Sequence, residues 1–213
     1  MLGLSKKELV VLKRLTTPIK IQNFLDALPR NGEKKGETYM SPRQVLKKKK
    51  AHCFEGALLA ALALWLQGEK PLLFDLKAGG DKAGGDEDHV IALYKRNGYW
   101  GAISKTNHAT LRFRDPVYKT LRELALSYFH EYFENKKGKK TLRKHSSKPF
   151  DLSKLDPGWV TTEKDLVEII NALEDAPHRR LFPQKNTRLL RPADKMELKA
   201  GRLVEWPPTD PRT

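Results

Sequence analysis

The chain has 213 residues, of which 39% are hydrophobic and 31% charged, and it carries a formal net charge of +15. That length allows one domain with a sizeable core, and the charge makes nucleic acid, anionic membranes and acidic proteins the partners to weigh. A single cysteine rules out an intrachain disulfide, no apolar run is long enough to span a bilayer, and Met1 to Lys7 lacks the order of a secretory signal, so a cytoplasmic protein is expected.

Residues 4–15 read as a short helix, and after Thr17-Pro18 the positions Ile21, Phe24, Leu25 and Leu28 have the spacing of a helix with one buried face. Residues 31–40 are polar and read as a loop. Ser41 as N-cap with Pro42 restarts the chain as a helix leading to Cys53. From Cys53 an apolar Ala/Leu-rich helix runs to Gly68, fifteen residues on. Pro71 to Leu76 is a strand candidate, and Lys77 to Asp88, with four glycines and four carboxylates, a flexible loop. His89 opens a second strand, which Asn97-Gly98 joins to a third, Tyr99 to Ser104, as a hairpin. Asp115-Pro116 is read as the start of a helix extending to about residue 134.

Asn135 to Lys148 holds seven basic residues and no acidic one, the pattern of an exposed basic loop. Thr162 is read as the cap of an accessory helix over 162–173. Pro177 to Thr213, with six prolines and nine Lys/Arg against four carboxylates, is expected to be an extended, partly ordered tail. The expected organisation is a domain over 1–176 with its core at 41–134, followed by the tail 177–213.

A thiol at a helix N-terminus meets unpaired backbone N–H groups and the positive end of the macrodipole, which favour the reactive thiolate. Cys53 has that position, and His89, at the head of a strand, is the candidate general base. His52 is either a second titrating group in the cleft or a surface histidine. Glu55 is expected to face elsewhere on the helix. For an oxyanion the candidate donors are the N–H of Cys53 and the side-chain amide of Gln44.

In order, Cys53 opening its helix, Gly68, the strand from Pro71, His89 and Gly98-Tyr99-Trp100 resemble the core of the transglutaminase-like superfamily, in a bacterial-type member. That superfamily lies within the papain-like group of thiol enzymes, and the resemblance spans Cys53 to Ser104, about a quarter of the chain. It implies an α+β domain in which helices pack on a small antiparallel sheet and Cys53, at a helix N-terminus, faces His89. The implied activity is hydrolysis or acyl transfer at an amide or acyl bond of a protein or peptide-like substrate. The family's aspartate, four residues after the tryptophan, is Ser104 here. Ser104 or Asn107 is the expected partner of His89, with Asp86 and Asp88 as the alternatives.

No cofactor is implied. Cys53, His89 and either His52 or His108 are the residues a metal would use, but no C-x-x-C or H-x-x-x-H pair accompanies them, and no metal is expected. The basic stretches offer non-specific contact to nucleic acid or acidic protein. A catalytically weak or inert binding module of the same fold is the alternative function, favoured by Ser104.

Overall fold

The computed structural model describes residues 2–32, 38–79 and 87–206. Ser5 and Glu8 form a capping box that starts α1 (Lys6–Leu12), and Thr17 with Pro18 starts α2 (Pro18–Asp26). Ser41 caps α3 (Pro42–Lys48), which stops at Lys49 in the left-handed region at φ 52°. His52 then stands at the N-cap of α4 (Cys53–Leu66), which Gly68 terminates at φ 86°. Every residue of α4 from Phe54 to Leu64 is buried, because α2 and α3 cover one side and a sheet covers the other. A helix apolar all round is a core helix, and burial of each leucine contributes about 1.5–3 kcal/mol.

The sheet comprises β1 (Leu72–Ala78), β2 (His89–Arg96), β3 (Tyr99–Ile103), β4 (Arg114–Tyr118), β5 (Leu142–Ser146), β6 (Phe150–Asp151) and β7 (His178–Arg180). All pairings between these strands are antiparallel, in the order β4-β3-β2-β1-β5-β7, with β6 beside β1. Asn97 and Gly98, at φ 50° and 85°, make the β2–β3 turn, whose two positive φ values suit the right-handed strand twist. Val90, Ala92 and Tyr94 pack with α4, whereas Ile91 and Leu93 pack with α5 (Leu121–Ser127) and Tyr128. β2 is therefore apolar on both faces, the pattern of a central strand covered on each side.

Four expectations are corrected. Residues 114–118 form β4 rather than a helix, and α5 begins only after the Thr120 cap. β4 is an edge strand, where Pro116 loses no necessary ladder bond. Within the basic stretch 135–148, β5 is an inner strand with Leu142 and His145 buried and Arg143 and Lys144 half-buried. The accessory helix, α6, spans Val167–Asp175; Thr162 is not its cap but accepts a hydrogen bond from Lys164 N in the preceding turn. The segment after Pro177 is structured as far as Trp206: it supplies β7, buried Leu181 and α7 (Lys195–Gly201). The glycine-rich loop, including Asp86, falls largely outside the described residues, as do residues 33–37 and 207–213.

Candidate active site

Cys53 is the first residue of α4 and is half-buried. Its N–H is among those a helix leaves without an intrahelical acceptor. The thiol has two imidazole neighbours, His52 and His89. His52 Nδ1 lies 4.0 Å from Sγ. Burial pushes the thiol up, but the two imidazoles together outweigh it and bring Cys53 down to about 5.

His89 is held from its far side. Its Nε2 is 2.7 Å from Ser104 Oγ, and that hydroxyl donates to Leu111 O at 2.5 Å. A hydroxyl has one proton to give. With that proton committed to Leu111, Ser104 accepts from His89, which fixes hydrogen on Nε2 and leaves Nδ1 as the nitrogen that can gain and lose a proton. Leu111 adopts φ 62°, a left-handed conformation costly for a leucine, and its N–H is held by the Glu131 carboxylate at 2.9 Å. Ser104 is itself gripped by the Gln22 side chain, which accepts from its N–H at 2.9 Å and donates to its carbonyl at 2.8 Å. Gln22 thus extends the sheet's hydrogen bonding one residue past β3.

On the other side of the thiol, Glu55 is fully buried and accepts hydrogen bonds from His52 N, Met40 N, Thr38 Oγ1 and Asn31 Nδ2 at 2.8–3.1 Å. Its carboxylate also stands 3.4 Å from His52 Nε2, which donates to Thr38 O at 2.6 Å. Burial disfavours the His52 cation, yet Cys53 and Glu55 more than reverse this and raise His52 to about 11. Burial also works against the Glu55 anion, and His52 with the hydrogen bonds prevails, so its pKa is lowered. The expectation that Glu55 faces away is corrected: a carboxylate inside an otherwise apolar helical run requires partners, and that was the available sequence signal. Gln22 gave no such signal.

A cleft of about 160 Å³ opens over the thiol, with Cys53, His52, His89, Asp88, Lys105 and Asn107 among its lining. Asn107 is not the partner of His89; both ends of its amide bind the backbone of Trp206 at 2.9 Å. Gln44 is not at the cleft, because its amide donates to Glu163 O at 2.8 Å on the far side of α3. Asp88 accepts from Ala78 N at 2.8 Å, and burial, with the nearby Asp75, pushes it up to about 6. His108 bonds Gly201 O through Nδ1 at 2.8 Å. Among the described residues no three His, Cys, Asp or Glu side chains gather as a metal site.

Compared with known proteins, the chain matches no family model and no curated relative.

Proposed function

We propose that the protein is a thiol enzyme acting on an amide or acyl bond, on a transglutaminase-like variant of the papain-like fold. The observation that carries this reading is the Cys53 thiol at the α4 N-terminus between two imidazoles, one of them braced through Ser104 in a defined tautomer. In this reading the Cys53 thiolate attacks the substrate carbonyl carbon and forms a tetrahedral oxyanion, which the Cys53 N–H is placed to receive. The C–N bond then breaks as His89 passes to the departing amine a proton that its Nδ1 has taken up from solvent, which leaves Nδ1 free to act as base in the next step. The thioester is released when water or a second amine, deprotonated by His89, attacks it and the thiolate leaves.

His52, held by Glu55, serves as a fixed charge partner that together with His89 keeps the sulfur ionised, while the proton transfers fall to His89. The cytoplasm is the proposed location. A second reading, a weakly active or inert binding module, draws on Ser104 in place of a carboxylate: a hydroxyl orients an imidazole but gives little support to an imidazolium.

The test is alkylation of Cys53 by iodoacetamide together with turnover of a panel of peptide amides and thioesters. The enzyme reading expects fast alkylation at pH 6, loss of turnover in Cys53→Ala and His89→Ala, and alkylation in His89→Ala that persists but is displaced to higher pH. Slow alkylation at pH 6 with no turnover would leave the binding-module reading.

A further inference from the structure

We infer that a second site, at the sheet edge formed by β5 and β7, binds the phosphate backbone of a nucleic acid. Two basic stretches far apart in sequence converge there. Arg143 and Lys144 come from β5, Arg180 from β7, and Lys185 and Arg188 from the turn that follows, all lining one groove of about 680 Å³. Among the described residues no acidic one lines it. Among the described residues none of the five cations enters an ion pair.

Two details argue against an incidental basic surface. Lys144 and Arg180 are directly opposite in the β5–β7 register, and like charges so placed are destabilising unless an anion lies between them. Arg143 is held in place before any ligand arrives. Its guanidinium donates to Leu142 O at 3.0 Å and Lys140 O at 2.8 Å and lies 5.7 Å from the Phe182 ring centre. Its stem crosses Gly79, where a Cβ would come within 2.3 Å of Arg143 Cγ. Guarding an edge strand accounts for a basic residue on β7, but not for those on inner β5 or in the turn.

Among the described residues the rest of the lining is small or neutral polar, with no aromatic ring to stack on a base and no apolar pocket for a protein anchor. Arg and Lys beside Thr and Gln are the groups that contact phosphate oxygens without reading sequence. The partner is therefore a phosphodiester chain, bound irrespective of its bases, and this inference stands apart from the thiol chemistry.

The experiment is fluorescence anisotropy of the full chain with labelled single-stranded DNA of about 20 nucleotides, titrated across salt. Arg180, Lys185 and Arg188 are exposed, so R180A/K185A/R188A leaves the core untouched, which a matching melting curve checks. The triple variant is expected to bind at least about tenfold more weakly near 100 mM salt, and its log–log salt slope to flatten by about 2, some 0.7 per lost phosphate contact. Arg188→Ala alone lies outside the sheet and should flatten the slope by about a third as much, so the test survives a misfolded triple variant. K13A/R14A, an exposed pair on another face, and Cys53→Ala should bind as the parent does. Unchanged binding in the groove variants, strong base preference, or displacement of the DNA by poly-glutamate at a lower charge concentration than by unlabelled DNA would each overturn the inference.

Discussion

Ser104 accepts a hydrogen bond from His89 Nε2 at 2.7 Å because its own proton goes to Leu111 O, so a neutral hydroxyl sets the tautomer that a carboxylate would otherwise impose. It does so without bringing a negative charge to the imidazole. In the proposed mechanism orientation falls to Ser104 beside His89, and the negative charge to Glu55 beside His52. The division can be tested from each side.

Ser104→Ala removes a hydrogen bond worth about 1 kcal/mol and leaves Leu111 O without its donor. Turnover should fall about fivefold or more from lost orientation of His89. The pH at which alkylation of Cys53 is half-maximal should barely move, because His52 and Glu55 remain. An equal loss of alkylation and turnover would mean that Ser104 acts by holding the cleft together.

Glu55→Gln keeps the shape but leaves His52 without its charge partner and several donors poorly matched. Loss of one member of a buried pair costs about 3–5 kcal/mol. The urea midpoint should fall accordingly, and the alkylation profile of the folded variant should shift to higher pH. A variant as stable as the parent would remove Glu55 from the account.

The pH dependence of stability has a defined shape. Cys53, lowered to about 5 from 9.0, contributes stability that is complete above about pH 9 and lost as pH falls through 5. His52, raised to about 11 from 6.5, contributes stability that is complete below about 6.5 and lost as pH rises through 11. Between about 6.5 and 9, folding moves one proton from thiol to imidazole without changing the number bound, so the pair adds no slope there. Urea midpoints should therefore plateau across that window and decline on both sides. Cys53→Ala/His52→Ala should lose the alkaline decline.

Truncation after residue 200 tests the far wall of the cleft. Trp206 and Glu205 bond Asn107, Leu203 O accepts from Ala109 N, and Gly201 O holds His108. Removing them should loosen residues 105–109, seen as faster amide exchange there, while exchange in β2 remains slow. Turnover should drop several-fold with alkylation retained. Unaltered exchange at 105–109 would show that this strap is decorative.

The parts of the fold carried by local chemistry were readable in the sequence: the caps at Ser41-Pro42 and Thr17-Pro18, the apolar α4, and the Asn97-Gly98 hairpin. β5 and β7 were not, because their residues are strands only by virtue of their neighbours. Lys144 or Arg180 has no local reason to be extended until β1 supplies an edge to pair with. At the candidate site, the helix-start position of Cys53 and the strand-start position of His89 followed from the order of elements, whereas the partner of His89 was open between Ser104 and Asn107, and Ser104 is the one that bonds it. Gln44 and Asn107 failed for one reason: each has an amide suited to several tasks, and a backbone distant in sequence, at Glu163 and Trp206, claimed it. Gln22 stabilises Ser104 from 82 residues away, a contact that no spacing rule reaches.

An ionised, half-buried sulfur is also an oxidisable one, and the chain holds only this cysteine. Peroxide would take Cys53 to a sulfenic acid that finds no intrachain thiol with which to condense. Recovery then depends on a small external thiol, and without one the sulfur proceeds irreversibly to the sulfinic state. The same helix end that makes the sulfur nucleophilic therefore ties the protein's working life to the reductant around it.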